Sequence, residues 1–236
     1  MKQYTNTYIF TFSAIMVLVV AALLSVVAMY LQPLQKKNFE TNKKQNILLS
    51  LNIRSTKEDA LAKYDQYITD SYVIDAEGEV QQGVDAFSVD LSKEIDQPVE
   101  ERKLPVFVGQ VGDSMQYVIP VRGKGLWGPI WGYIALEEDY NTIYGANFSH
   151  QSETPGLGAE ISTREFQKQF IGKQIFDAQG QFVSINVIKG EPPPEALHAV
   201  DGISGGTITS DGVDAMLEDV IGAYVPYLKQ LRNKSS

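Results

Sequence analysis

The chain has 236 residues with 44% hydrophobic content, which is enough for one sizeable core and a membrane anchor, and its length implies no second catalytic domain. Its formal net charge is −9, and residues 58–101 hold thirteen acidic side chains against two lysines, so this acidic lobe would repel nucleic acid and excludes it as a partner. With no cysteine and two histidines, the chain has no disulfide, no thiolate-ligated iron–sulfur centre and no cysteine nucleophile, and we predict no metal site.

The N-terminal segment predicts a transmembrane anchor. No charged residue occurs between Gln3 and Gln35, and residues 9–31 are almost wholly apolar. As a helix, this stretch would be about 35 Å long, enough to cross a bilayer. A cleaved signal peptide would have a shorter apolar run and a small-residue cleavage site, whereas the large Met29 and Tyr30 stand at the end of this one. We therefore expect residues 1–35 to form an uncleaved anchor.

A helical stalk is predicted over residues 36–68. Its first helix covers residues 36–52, and Ser55 or Thr56 is expected to cap a second helix that ends at Tyr67.

Apolar or alternating runs between Gly, Pro and Asp turns predict β-strands in residues 69–236. A hairpin turns at Glu77 and Gly78. The further predicted strands cover residues 104–111, 115–122, 130–136, 142–149 and 181–188. We therefore predict an α+β fold, in which one transmembrane helix precedes a single domain with a twisted, mainly antiparallel sheet and flanking helices.

Two more helices are predicted in the C-terminal half. Ser162 and Glu165 form a capping-box pattern that indicates a short helix through Phe170. Apolar residues at helical spacing indicate a long helix that begins near Thr209 or Ser210. Pro226 should kink or interrupt it.

Three glycines at 123, 125 and 128 spell GxGxxG directly after a strand. A Rossmann dinucleotide site requires a helix to open there, but residues 130–136 continue as a strand, so we predict no such site. What remains is a glycine turn that places Leu126 and Trp127 either in the core or in the wall of a pocket.

The segment DGISGGTITS, residues 201–210, is the strongest candidate site. Gly205 and Gly206 allow positive φ and a close approach to the main chain, and Thr207 stands at the end of the turn. The positive N-terminal end of the following helix would lie beside any phosphate on Thr207. From the pattern alone, the segment also fits a helix N-cap preceded by a flexible turn.

The tetrapeptide Ser204–Gly205–Gly206–Thr207 resembles the flavinylation motif of the FMN-carrying subunits of the sodium-translocating NADH:quinone oxidoreductase and its Rnf-type relatives. In that motif, Ser/Thr-Gly-Ala-Thr, the last threonine carries FMN through a phosphoester, and here glycine replaces the alanine. The segments at residues 119–136 and 150–161 occur in the family's order, so the resemblance covers nearly the whole chain. The sequence VRGKGLWGPIWGY and the Val-Asp-Gly lead-in favour the FMN-carrying member of the sodium pump over its counterpart in the Rnf complex.

The resemblance implies covalent FMN on Thr207 and a pocket around it, with no catalytic residue in this chain. Thr154 and backbone N–H groups of its loop would bond the polar edge of the ring, and Leu157 would contact it. Glu153 would either disfavour anionic reduced flavin or fix the loop, and Lys189 would either stabilise anionic reduced flavin or be an exposed strand-end lysine. The expected cofactor-binding residues are Leu126, Trp127, Glu153, Thr154, Gly156, Leu157, Gly158, Lys189, Ser204, Gly205, Gly206 and Thr209.

The resemblance also implies an electron-transfer subunit that acts as an enzyme only within its complex, which couples NADH oxidation and quinone reduction to sodium export. Its partners would be the other subunits, the lipid bilayer and, during maturation, a flavin transferase that uses FAD and magnesium. The alternatives are an Rnf-type flavin subunit, an anchored binding module without redox function, and a hydrolase with Ser204 or Thr207 as nucleophile. The hydrolase lacks a recognisable nucleophile–base motif.

Two arguments about membrane orientation disagree. Four lysines follow the anchor within residues 36–44 while only Lys2 precedes it, and the positive-inside rule then places the domain in the cytoplasm. The resemblance implies a bacterial inner-membrane protein with its flavin domain in the periplasm. Because long domains can be exported despite flanking charge, we expect the periplasmic orientation.

Overall fold

The computed structural model describes residues 5–235, with side chains through Lys234. It divides into two compact units, one that ends at Lys43 and one that begins at Lys44. The helix α1 covers Asn6–Ser50 and includes Pro33. Its apolar part is long enough to cross a bilayer, and none of that part is buried. Pro33 removes one backbone hydrogen bond but does not end the helix, so the predicted anchor and the first predicted stalk helix form one element.

The second unit is built on a six-stranded sheet. Its strand order is β2-β1-β3-β4-β5-β6, and all neighbours are antiparallel. The strands are β1 Ile68–Ile74, β2 Val80–Gln81, β3 Leu104–Val111, β4 Ser114–Lys124, β5 Pro129–Leu136 and β6 Ile143–His150. The predicted α+β class and antiparallel sheet are confirmed, including the hairpin, in which Gly78 has a φ of 85°.

A second, two-stranded sheet corrects one strand prediction. The strand predicted over residues 181–188 is reduced to β7, Asn186–Ile188, because Ser184 has a φ of 58° and interrupts the extended chain. β7 pairs in parallel with β8, Ala199–Asp201, which the sequence did not predict.

The remaining helices are short except for the last. They are α2 Ala60–Tyr67, α3 Leu91–Glu94, α4 Arg164–Gln167 and α5 Thr207–Ser235. Thr56 does not cap α2 directly: its N–H donates to Asp59 Oδ1 at 2.6 Å, and Asp59 N–H donates to Thr56 Oγ1 at 3.3 Å. This reciprocal pair closes the turn before the helix, which ends at Tyr67 as predicted.

The predicted capping box is wrong. Ser162 ends a preceding 3-10 turn, Gly158–Ser162, and its hydroxyl donates within it to Ala159 O at 2.8 Å. Thr163 caps α4 instead, with its Oγ1 accepting from Phe166 N–H at 3.4 Å.

Both faces of the six-stranded sheet are covered by helix. On one face lies α5, whose Tyr224 hydroxyl donates to Pro105 O at 2.8 Å. This core includes Ile74, Val106, Ile119, Ile134, Val213, Leu217, Val220 and Tyr224. On the other face lie the last turns of α1. That core includes Ile47, Leu51, Val73, Phe107, Val118 and Ala135.

The N-terminal turns of α5 lie directly on the end of β4. A Cβ at Gly212 would be 2.3 Å from Lys124 O, and one at Gly123 would be 2.7 Å from Met216 Cβ. This close contact holds the first turns of α5 against the end of β4. The helix starts at Thr207, two residues before the earliest predicted start, and Pro226 does not interrupt it.

Candidate functional site

The turn before α5 presents one hydroxyl at the first helical position. Gly205 has a φ of 74°, which favours glycine, and Gly206 N–H donates to Ile203 O at 2.9 Å. Ser210 N–H donates to Gly206 O at 2.9 Å, which closes the first helical turn. Thr207 is therefore the exposed first residue of a 29-residue helix.

Hydrogen bonds from α5 and from one distant element hold this turn. Ser210 Oγ accepts from Ile203 N–H at 2.8 Å. Gln169, on the 3-10 turn after α4, binds both sides of the Asp201 peptide: its Oε1 accepts from Asp201 N–H at 2.9 Å and its Nε2 donates to Asp201 O at 3.3 Å. The sequence predicted Ser210 only as a helix start and gave no indication of Gln169, because a contact across 32 residues leaves no local signal.

A buried carboxylate joins three segments beneath the turn. Glu153 is 5% exposed, and its Oε2 accepts from the hydroxyl of Thr209, which is 1% exposed, at 2.7 Å. Its Oε1 accepts from Trp127 N–H at 2.8 Å. Glu153 therefore ties the 125–128 turn and its own loop to the N-terminus of α5.

Glycines allow these segments to approach one another closely. A Cβ at Gly158 would lie 2.4 Å from both Glu153 Oε2 and Thr209 Oγ1. A Cβ at Gly125 would lie 2.6 Å from Glu153 Oε1, and one at Gly206 would lie 2.9 Å from Ile203 Cγ2. Gly125 of the GxGxxG run thus serves packing around Glu153, and the strand β5 follows the run, as predicted for a non-Rossmann turn.

Several N–H groups of the 153–158 loop donate to acceptors in the loop or close to it in the sequence. Glu153 N–H donates to His150 Nδ1 at 3.2 Å, Gly156 N–H to Glu160 Oε1 at 2.9 Å, and Leu157 N–H to Thr154 O at 3.1 Å. These three N–H groups therefore have partners within the protein, and contact of the loop with the ring edge stays a prediction. The Thr154 side chain is exposed.

Four exposed apolar side chains belong to the segments that meet at Thr207, and we call them the apolar rim: Leu126, Trp127, Leu157 and Ile208. Trp127 is 64% exposed and Ile208 is 57% exposed. A Cβ at Gly205 would lie 2.8 Å from Leu157 Cδ2, so the loop and the turn are in contact. Ile208 was not among the predicted site residues, although its position next to Thr207 was a usable signal.

The backbone at Lys189 lies beside the turn. It follows Ile188, whose carbonyl accepts from Gly202 N–H at 2.7 Å. The Lys189 side chain is exposed, and within residues 5–235 it forms no ion pair. The structure brings the other predicted site residues together around the Thr207 turn and Glu153.

Known proteins are similar to this chain in sequence and in fold. The FMN-binding domain family matches residues 125–222. The Na(+)-translocating NADH-quinone reductase C-subunit of Vibrio vulnificus strain YJ016 is 32% identical, over 92% of this chain and 91% of its own length. The C-subunit of Na(+)-translocating NADH-quinone reductase from Parabacteroides distasonis, known from a crystal structure, is 45% identical in sequence. The two structures superpose with a TM-score of 0.78 over 84% of this chain and 96% of that chain. Shewanella oneidensis NqrC is 25% identical with a TM-score of 0.72, covering 84% of this chain and 100% of that chain. The chain therefore belongs to the NqrC family, the C-subunits of Na(+)-translocating NADH-quinone reductase.

Proposed function

We propose that FMN is attached to this electron-transfer protein through a phosphoester to Thr207 Oγ1. The observation that carries the proposal is the different environment of the hydroxyls in the segment. Thr209 and Ser210 are buried and hydrogen-bonded, whereas Thr207 is exposed on the first turn of a long helix. Ser204 is also exposed, but it lies within the turn, three residues before the first residue of the helix.

The local geometry fits a phosphate ester. The first N–H groups of an α-helix have no partner within the helix, and the helix dipole favours negative charge there. A phosphate on Thr207 would lie at this end of α5, where Gly205 and Gly206 add no side-chain bulk. Glycine at 206 in place of the family's alanine is explained by the close approach of Ile203.

The surroundings also fit a flat apolar ring. The apolar rim offers exposed carbon surface on three segments, and Glu153 fixes two of them, through Trp127 N–H and Thr209, without occupying the surface itself. Glu153 is thus a positioning residue. We infer that Thr154, the turn residues 204–206 and Lys189 complete the binding surface.

Bound FMN would supply one-electron chemistry, and the protein would supply attachment and orientation. Because Thr207 receives the group from a separate flavin transferase in this proposal, no general base in the chain is needed. Other subunits of the sodium-translocating complex would donate and accept the electrons. The chain would therefore act in NADH oxidation and quinone reduction only as part of that complex.

We further propose that residues 1–35 anchor the chain in the bacterial inner membrane, and that the flavin domain, residues 69–236, lies in the periplasm. Residues 36–68 would form the stalk, of which the part from Lys44 onward belongs to the second compact unit. The absence of cysteine makes a direct test possible, because a single introduced thiol is the only one to label. Gln179→Cys, at an exposed turn position, should react with a membrane-impermeant maleimide in cells whose outer membrane alone is permeabilised. Labelling only after the inner membrane is broken would place the domain in the cytoplasm.

The attachment is tested by intact and peptide mass spectrometry of protein made with its native flavin transferase. Wild type and Ser204→Ala should carry one FMN on the peptide that contains residue 207, and Thr207→Ala should carry none. FMN on Ser204 would show that Ser204, and not Thr207, is the acceptor. Absence of FMN from wild type, with a transferase active on another substrate, would instead favour a non-redox binding module.

A further inference from the structure

A small cavity lies beside the edge strand β6 and shares no residue with the apolar rim. It has a volume of about 200 Å³ and is lined by residues 49–54, the strand β6 and the segment 162–171. The liquid volume of one water is about 30 Å³, so the cavity has room for a small ion and several waters.

The cavity is positively charged in an acidic protein. Arg54, Arg164 and Lys168 line it, and no Asp or Glu does, although the chain carries a net charge of −9. Within residues 5–235 none of these three side chains forms an ion pair. Arg164 and Lys168 are four residues apart on one helical segment, which places them on the same face. Three cations left unpaired around one cavity favour an anionic occupant.

A buried amide in the cavity wall lacks a partner. Asn147 is 5% exposed, lines the cavity, and its Nδ2 has no hydrogen-bond acceptor in the described part of the chain. A buried donor without a partner costs about 1–3 kcal/mol, so such groups are rarely left without a hydrogen bond. An oxyanion in the cavity would accept from Asn147.

The edge of the sheet adds a backbone donor. β6 is an edge strand, and Gln167 Nε2 donates to Phe148 O at 3.0 Å from outside the sheet. Because backbone groups alternate in direction along a strand, the N–H of Ala146, two residues away, points out of the same edge. Ala146 also lines the cavity. The donors are thus two guanidinium groups, an ammonium, a side-chain amide and a peptide N–H.

We propose that this cavity binds a phosphate-class oxyanion, either as free phosphate or as the phosphate of a lipid headgroup. Arginine binds such groups through paired, charge-assisted N–H donors, and lysine adds a point charge. The site is independent of flavin attachment at Thr207. It is a binding site only, with no group placed for chemistry.

The test is calorimetric titration of the detergent-solubilised full chain with inorganic phosphate, against chloride at matched ionic strength. Wild type should bind one phosphate saturably, and Arg164→Gln with Lys168→Gln should weaken binding at least about tenfold, because two charge-assisted bonds are lost. Both positions are exposed, so the double variant should fold. The matched control, Lys57→Gln with Lys103→Gln, makes the same charge change at exposed positions outside the cavity and should bind as wild type.

Equal weakening in the control, or unchanged binding in the cavity variant, would overturn the proposal. A second titration with short-chain phosphatidylglycerol below its micelle concentration separates the two sources, with phosphatidylcholine as the uncharged comparison. Tighter binding of phosphatidylglycerol than of phosphate, lost in the cavity variant, identifies a headgroup site. Binding of phosphate alone identifies a free phosphate site, and binding of neither refutes the cavity's role.

Discussion

The Thr209 hydroxyl and the Glu153 carboxylate form a buried hydrogen bond of 2.7 Å, two residues along α5 from the exposed Thr207. Thr209→Val removes the donor at nearly constant volume and leaves Glu153 Oε2 without this partner. We expect a loss of about 1–3 kcal/mol in the free energy of unfolding, measured by urea denaturation. Thr207→Val is the matched control: it should change stability by no more than about 0.5 kcal/mol and yet abolish flavin attachment. Equal destabilisation by the two variants would contradict the assigned environments.

Gly158 lies against the same hydrogen bond. Gly158→Ala would place a Cβ 2.4 Å from both bonded oxygens, so the loop must move away from α5. We expect a destabilisation of about 1–3 kcal/mol, measured as a lower urea midpoint. Gly222→Ala is the control, because this glycine lies inside α5 and its Cβ would make only an ordinary contact of 3.6 Å with Phe182 Cε1. That variant should gain about 0.5–1 kcal/mol.

We expect Trp127 to contact the flavin and to contribute little to the stability of the fold. Its side chain is 64% exposed, so Trp127→Ala should change the unfolding free energy by no more than about 0.5 kcal/mol. In flavinylated protein, the same variant should alter the visible circular dichroism of the flavin, because one wall of the proposed ring site is lost. Leu61→Ala, also at an exposed apolar position, should leave the flavin spectrum as in wild type. An unchanged spectrum in Trp127→Ala would remove this residue from the flavin surface.

Buried tyrosines predict a loss of stability at alkaline pH. Burial raises the pKa of Tyr133, and burial together with a hydrogen bond to Tyr72 raises the pKa of Tyr227. Since the folded pKa lies above the unfolded value of about 10, the folded state retains protons that the unfolded chain loses. Stability is therefore fully present below pH about 10 and falls as pH rises above it. Urea midpoints measured across this range should decline, and Tyr133→Phe should reduce the decline; a slope identical to wild type would contradict this prediction.

Local sequence signals predicted most of the fold but only part of what supports the site. The alternating runs found the antiparallel strands, since period-two patterns are local. They missed β8 because three residues carry too little pattern, and they extended β7 because nothing in the sequence indicates the positive φ of Ser184. The family resemblance, carried by the Thr207 tetrapeptide and two glycine-rich segments, is confirmed by the relatives.

The contacts around the site could not be predicted because they join distant segments. The sequence left two roles open for Glu153, tuning the flavin or fixing its loop. Its hydrogen bonds to Trp127 and Thr209 show that it joins segments 26 and 56 residues away. No pattern within one segment specifies such a contact. Gln169 was missed for the same reason, whereas Ile208 was missed although it stands next to Thr207 in the sequence.

The position of α5 has a consequence for biosynthesis. This helix supplies Val213, Leu217, Val220 and Tyr224 to the main core, and it is the last element of the described chain. While the ribosome still covers these residues, one face of the sheet lacks the helix that packs on it. The shaped turn that presents Thr207 can therefore form only after α5 has left the ribosome. An enzyme that recognises the folded turn would therefore act only on chains in which α5 has packed on the sheet, so modification would mark folded molecules.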